Sequence, residues 1–269
     1  MPKHRRLYIS AWLLLTILYV AVPWPHLGDY AWNYDEGPLL QAAALANEGY
    51  TLYDKIALNK PPLLAWVLQW AFRLAGPTVV AARATMLALT LIGFLALGAL
   101  AAQWWGPWAG PAAMALFLAL PDVPVRAPVV MNDLPVMSAA LGALNAATAY
   151  RRTRSRGWLL VGAGAYAALL AIHPLLLFMA LPLGVILVYD RCVALLSTAA
   201  QWRAGLIFGA VAAILTLAWL LPLPWADFRH WVIDYNTAEV AARYVSRHYA
   251  STWQRLWGYL APWWPLLGL

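Results

Sequence analysis

Long apolar runs separated by short polar segments make up most of the chain. Eight of these runs approach the length that an α-helix needs to cross a bilayer of roughly 30 Å. They lie at about 7–22, 78–102, 107–121, 134–150, 157–173, 174–189, 203–221 and 256–269. Because backbone polar groups inside lipid must bond to one another, the pattern predicts an all-α, polytopic integral membrane protein.

A further apolar run, 62–76, decides which loops share a side of the membrane. Lys and Arg concentrate in cytoplasmic loops, and the basic segments here are 3–6, 151–156 and 191–203. They share one side only if 62–76 does not cross. We therefore predict an interfacial or re-entrant helix on the outer side, a cytoplasmic N-terminus, and a plasma (inner) membrane location in a bacterium or archaeon.

This topology also sorts the acids. The outer segments become 23–77, 122–133, a tight turn at His173-Pro174, and 222–255, all within a single membrane module covering 1–269. Ten of the eleven Asp and Glu residues then lie outside, and only Asp190 lies inside. Any chemistry is expected on the outer face.

Composition agrees with a membrane protein, since 64% of residues are hydrophobic and 11% are charged. The net charge of +7 would suggest a nucleic-acid partner in a soluble protein, but the basic loops explain it here and no nucleic acid is expected. No small-residue cleavage site precedes Pro23, so the first span should remain as an anchor. Because the chain stops at Leu269 inside an apolar run, we expect a truncated product whose relatives carry further spans.

Two acids and one lysine stand out in the first outer segment. Asp35 and Glu36 precede Gly37-Pro38 and a short apolar run, which is a helix start where negative charge is favourable. Lys60 precedes Pro61-Pro62, which can open a new helix. Without further information the acids are equally explained by the helix terminus, and Lys60 by snorkelling to the interface.

The later outer segments offer more candidates. Asp133 opens the run 134–150, and an acid there is either functional or an N-cap, a role that Asn132 fills equally well. For Arg126, as for Arg73 and Arg83, an ion pair that fixes loop shape is the favoured role, with phosphate binding as the alternative. His173 is either a cation at the turn or a plain turn residue. Arg243 and Arg247 share a helical face, for phosphate or for anionic lipid.

The segment DEGPLLQAAALANEGYTLYDKIALNKPPLLAWVLQWAFRLAG, followed by AARAT, resembles the first outer loop of the GT-C glycosyltransferases. The similar branch includes protein O-mannosyltransferases and the lipid A aminoarabinose transferases. The shared pattern is an acidic pair, a Gly-Tyr helix end, a Tyr-Asp step at Tyr53, Lys-Pro-Pro-Leu and Ala-Ala-Arg. Family members are longer than this chain.

The resemblance implies a GT-C-type N-terminal transmembrane module that moves a sugar from a polyprenyl-phosphate donor to a hydroxyl on a protein, lipid or glycan, with inversion. Asp35 would be the base, with Asp133 and Glu36 as further catalytic carboxylates. The substrate-binding residues would be Lys60, Arg126, His173, Arg243 and Tyr53. No cofactor is expected, although a divalent metal between Asp35 and Asp133 stays open because two carboxylates at unknown separation do not define a site.

Two other functions fit the sequence less well. A non-catalytic, truncated relative acting as a scaffold subunit would agree with the abrupt end, but it has no physical reason to keep costly charges together. A transporter is expected to have symmetric halves and broken helices at mid-membrane, whereas the charges here lie at one surface. No zinc-ligand spacing or glycine-rich phosphate loop is present.

Overall fold

The computed structural model of the chain describes residues 3–29, 33, 36–188 and 199–239. Within these ranges it is all-α, with one isolated bridge between Leu52 and Ile56. The helices are α1 (Lys3–Ala21), α2 (Glu36–Asn47), α3 (Leu63–Ala75), α4 (Val79–Trp105), α5 (Ala109–Ala119), α6 (Asp122–Arg126), α7 (Asp133–Thr153), α8 (Arg156–Ile172), α9 (Ala180–Val188), α10 (Ala199–Leu220) and α11 (Trp225–Phe228). Short 3₁₀ turns, Trp24–His26 and Pro174–Met179, and a π-helical stretch, Arg229–Glu239, complete the described elements.

Helices α1 and α4 run antiparallel. Near the start of α4, Arg83 bonds to the Leu27 carbonyl just beyond α1, whereas Tyr8, near the start of α1, meets Trp108 just beyond α4. Residues 22–78 therefore leave and return at the same end of the bundle, and α3 lies within that excursion. This agrees with the prediction that 62–76 does not cross.

Three described helices are long and apolar enough to cross a membrane: Arg6–His26, Val79–Trp105 and Trp202–Leu220. The predicted spans at 107–121, 157–173 and 174–189 are helical, but α5, α8 and α9 have only 11, 17 and 9 residues. At about 1.5 Å per residue, α5 is much shorter than the hydrocarbon layer. The predicted span 256–269 lies outside the described residues.

Close packing of α4 against its neighbours builds the centre of the bundle. A methyl group at Gly93 would lie 2.7 Å from the Cα atom of Ser138 on α7, so only glycine permits this approach. Small residues at helix contacts are typical of membrane proteins, because burial of apolar surface does not drive association in lipid. The tight α4–α7 contact holds the two outer segments that precede these helices close to each other.

Candidate functional site

The centre of the outer end is a buried ion pair between Glu36 and Arg83. Arg83 Nε and Nη2 donate to Glu36 Oε1 and Oε2 at 3.0 and 2.8 Å, which is a bidentate arrangement. The Glu36 side chain is 0% exposed and that of Arg83 is 7% exposed. The backbone N–H of Val130 also donates to Glu36 Oε1 at 3.0 Å. Both carboxylate oxygens are therefore occupied by protein donors.

The same pair organises the chain around it. Arg83 Nη1 donates to the carbonyls of Leu27 and Asp29, at 3.2 and 2.7 Å. These contacts join the segment after α1, the start of α2, the first part of α4 and the loop before α7. The planar guanidinium, with five donors in a fixed fork, suits such a junction better than a lysine would.

Burial and hydrogen bonding act in opposite directions on Glu36. Burial by itself would raise the pKa of the Glu36 carboxyl, but the hydrogen bonds and charge of Arg83 and the N–H of Val130 hold that pKa below its ordinary value of 4.5. The carboxylate is therefore ionised at neutral pH. The predicted alternative that Glu36 meets solvent is wrong, because the side chain is fully buried.

Lys60 is held by the loop between α2 and α3. Tyr53 is 2% exposed, and its hydroxyl donates to the Lys60 carbonyl at 2.9 Å. Burial raises the pKa of the Tyr53 phenol far above its ordinary value, so the hydroxyl keeps its proton and remains a donor. The Lys60 side chain is half-buried, and its ammonium forms no salt bridge to the described part of the chain.

Tyr53 also has an unusual backbone. Its φ of 73° lies in the left-handed region, which costs a non-glycine residue roughly 1–2 kcal/mol. Its N–H donates to the Ile56 carbonyl at 2.8 Å, and its ring packs edge-on against Phe228 at a centroid distance of 5.2 Å. The loop is therefore fixed from three directions. In this geometry Tyr53 orients the backbone at Lys60.

Asp133 is exposed and is the first residue of α7. The preceding Asn132 does not cap the helix through its side chain. Instead Asn132 Nδ2 donates to the Ile172 carbonyl at 3.3 Å, while Asn132 Oδ1 and His173 Nδ1 are buried without a hydrogen-bond partner in the described structure. Sequence reasoning missed this pairing of Asn132 with the end of α8, which is a tertiary contact.

The predicted turn at His173-Pro174 is present, since α8 ends at Ile172 and a 3₁₀ turn starts at Pro174. Tyr53, Val130, Ile172 and Phe228 belong to one buried apolar cluster, which we call the outer cluster. Each of the first three is bonded or adjacent to a segment that carries a candidate: Lys60, Asp133 and His173 respectively. The outer cluster thus gathers these segments at one end of the bundle.

Arg126 lies apart from this group. It is exposed, and its Nε atom is 3.7 Å from Asp122 Oδ2 one turn earlier, a surface pair of small energetic weight. It lines a cleft of about 490 Å³ with Arg83, His26, Asp29 and Asn33. Of the arginines expected to form ion pairs, Arg83 and Arg126 do so, whereas Arg73 donates to Asn47 Oδ1 and stacks on Trp70.

Asp35 and Arg243 lie outside the described residues, as do Arg247 and Asp190. The sequence neighbours of Asp35 are described: Asn33 Nδ2 donates to Met131 Sδ at 3.0 Å, and Glu36 accepts from Val130. Among the described residues no group of three His, Cys, Asp or Glu side chains is placed to hold a metal ion.

Comparison with known proteins identifies a similar fold. No protein-family model matches the sequence, and no curated protein sequence matches it. ArnT from Cupriavidus metallidurans, whose crystal structure contains bound undecaprenyl phosphate, matches with a TM-score of 0.67 and 18% identity. The match covers 85% of this chain and 44% of the ArnT chain, so this chain spans less than half of ArnT's length. The chain therefore has the GT-C-type helical membrane fold seen in ArnT.

Proposed function

We propose that the chain forms the donor-binding part of a membrane glycosyltransferase that takes a sugar from a polyprenyl-phosphate carrier. The observation that carries this proposal is the Glu36–Arg83 pair with its bond to the Val130 N–H. It fixes the segment that follows Asp35 against the loop that precedes Asp133. An enzyme acting at the membrane boundary needs such a rigid arrangement of its charged loops.

The chemistry follows from the donor. The oxygen of an acceptor hydroxyl attacks the anomeric carbon, the bond from that carbon to the phosphate oxygen breaks, and the polyprenyl phosphate departs with the bonding electrons. The hydroxyl proton passes to a carboxylate, for which we propose Asp35. Attack opposite the departing phosphate inverts the anomeric centre. Phosphate is a good leaving group, so no general acid is required.

The other residues take supporting roles. Lys60 would balance the charge that develops on the departing phosphate, since its ammonium has no described acidic partner and its backbone is held by Tyr53. Asp133, exposed at the start of α7, would face the donor sugar. Glu36 acts as a positioning residue, because both of its oxygens are occupied. For His173, Arg243 and Arg126 we retain contacts to the substrate as a prediction.

The carrier lipid is proposed from the neighbour. ArnT, a lipid A aminoarabinose transferase, was crystallised with undecaprenyl phosphate, and we propose a lipid phosphate of this class as the ligand here. The polyprenyl tail would stay in the bilayer while the phosphate meets Lys60 at the boundary. This assigns the site to the outer face of the plasma membrane, with a hydroxyl of a protein, lipid or glycan as the acceptor.

The first test is binding of undecaprenyl phosphate to the purified 269-residue chain in detergent. Lys60→Met should weaken binding about tenfold or more, the usual scale for losing a charge-assisted hydrogen bond. Lys55→Met is the matched control, because Lys55 is an exposed lysine of the same loop whose ammonium lies 3.5 Å from Asp54. It should leave binding within about twofold.

A second pair tests the acid. Asp133→Asn should remove transfer of a radiolabelled sugar from the polyprenyl-phosphate donor while leaving undecaprenyl phosphate bound, and Asp122→Asn, an exposed acid of the preceding loop, should remove neither. Equal effects of the Lys60 and Lys55 variants would overturn the donor site. A chain that binds no undecaprenyl phosphate at all would favour the scaffold function instead.

A further inference from the structure

A second cleft, of about 720 Å³, lies at the opposite end of the bundle from the candidate site. It opens where α4 and α7 finish, and α9 forms its other wall. Arg151 and Arg152, in the last turn of α7, supply its charge. The proposed transfer reaction uses none of its residues.

The charge of this cleft is not neutralised by the protein. Neither Arg151 nor Arg152 forms a salt bridge within the described residues. The described acids between 102 and 188 are Asp122 and Asp133, and both lie at the other end of α7. Two adjacent guanidinium groups without a carboxylate provide a favourable position for a phosphate.

The walls of the cleft suit a lipid better than a soluble anion. Trp104 and Trp105 are 49% and 73% exposed, and rings of this kind gather at membrane–water boundaries. On α9, Val185 is 53% exposed and lies beside Ile186 in the same cleft. An acyl chain lying along these apolar side chains would bring its headgroup to the arginines.

The polar wall is already ordered. The indole N–H of Trp104 donates to Thr148 Oγ1 at 3.3 Å, and the side-chain amide of Gln103 donates to Asn145 Oδ1. These two bonds tie the end of α4 to α7 beneath the arginines. A pre-ordered wall reduces the entropy lost when a ligand binds.

We propose that this cleft binds the phosphate headgroup of an anionic membrane phospholipid, with the headgroup on Arg151 and Arg152 and an acyl chain against Val185, Trp104 and Trp105. Basic pockets between membrane helices are suited to such headgroups. The site is independent of the proposed glycosyl transfer and would place a structural lipid between α4, α7 and α9.

The test counts lipids retained by the detergent-purified chain in native mass spectrometry, titrated with phosphatidylglycerol and, separately, with zwitterionic phosphatidylcholine. The wild type should bind phosphatidylglycerol preferentially. Removing both charges with R151Q/R152Q should weaken its binding about 30-fold, on the basis of the usual attraction per basic residue. The matched control is R154Q/R156Q, which removes the same charge from the adjacent turn outside the cleft and should weaken binding about threefold or less.

A second variant addresses shape without changing charge. Val185→Trp should fill the apolar wall and reduce phosphatidylglycerol binding, while the folded state is checked by circular dichroism and gel filtration. Inorganic phosphate at millimolar concentration should not displace the lipid. Equal losses in the two arginine pairs would overturn the site, because they would reflect general attraction to the basic end. Displacement by inorganic phosphate alone would overturn the lipid assignment in favour of a soluble anion.

Discussion

At the scale of residues, the ion pair between Glu36 and Arg83 makes the largest single polar contribution to this end of the protein. Its geometry is bidentate, its charges are shielded from solvent, and the remaining donors of Arg83 reach two carbonyls. A buried pair of this kind adds little net stability over apolar residues of the same size, yet breaking it leaves an uncompensated charge. Its value lies in the fixed position that it gives to four chain segments.

Removing one partner should therefore be costly. We expect Arg83→Met to lower the free energy of unfolding by about 3–5 kcal/mol, because Glu36 is left charged and buried. Arg73→Met is the control: Arg73 is exposed and bonds to Asn47, so its loss should cost about 1 kcal/mol or less. Equilibrium unfolding in mixed micelles measures both. The double variant Glu36→Leu/Arg83→Leu should regain most of the loss, and a failure to do so would contradict the assignment to unpaired charge.

The lowered pKa of Glu36 predicts a dependence of stability on pH. Because the pKa is lower in the folded than in the unfolded state, the contribution of Glu36 is complete above about pH 4.5 and is lost as the pH falls through the folded-state pKa. Thermal unfolding from pH 7 to pH 3 should show this loss in the wild type. Glu36→Gln should be less stable at pH 7 and should flatten this part of the profile. An unchanged profile would assign the acid sensitivity to other carboxylates.

At the scale of elements, contact between α4 and α7 sets the distance between the outer segments that precede them. Gly93 on α4 faces Ser138 on α7, whose Oγ donates to the Leu134 carbonyl at 2.8 Å. The amphipathic pattern of α3 predicts a helix at the surface, but no periodicity in the sequence indicates which glycine of α4 lies under α7. That contact depends on the rotation of two helices about their own axes.

Substitution of Gly93 should separate the two helices. Gly93→Ala places a methyl 2.7 Å from Ser138 Cα, and we expect a loss of about 1–3 kcal/mol from overpacking. Gly209→Ala, on α10 with open space around it, should be neutral or stabilising by up to about 1 kcal/mol, since alanine favours helix. Thermal unfolding in detergent compares them. Ser138→Gly should rescue Gly93→Ala; without rescue, the α4–α7 contact is not the cause.

At the scale of the whole molecule, the described chain separates its charges by end. The described acids lie with α2, α6, the start of α7 and the 225–239 segment, whereas the arginines of the α7–α8 turn lie at the opposite end. Residues 22–78 leave and return at the acidic end, so the two ends face different sides if α1 and α4 cross the membrane. Sidedness therefore follows from whether α3 crosses.

Cysteine labelling measures this directly. In a Cys192→Ser background, new cysteines replace the exposed residues Glu48, Pro77 and Ser155. In sealed vesicles, an impermeant maleimide should reach the positions at 48 and 77 from the same side and the position at 155 from the other. Labelling of positions 48 and 77 from opposite sides would mean that α3 crosses the membrane.

Much of the architecture was predictable because it depends on local pattern. Apolar runs indicated the helices, the basic segments favoured an α3 that does not cross, and the motif around Lys60 indicated the GT-C-type fold. Run length overestimated the crossing elements, as α5 with 11 residues demonstrates, since apolar composition alone does not distinguish a short buried helix from a full span.

The candidate site was only partly predictable. Residue type and position near the membrane boundary identified Glu36, Lys60 and Asp133, because charges there are costly and few. Only the tertiary structure decided that Glu36 is buried on Arg83, that Val130 completes its bonds, and that Tyr53 holds the backbone of Lys60. The Glu36 contacts join residues 47 and 94 positions apart. Hydropathy and motif spacing describe the chain locally, whereas such contacts arise from how the helices pack.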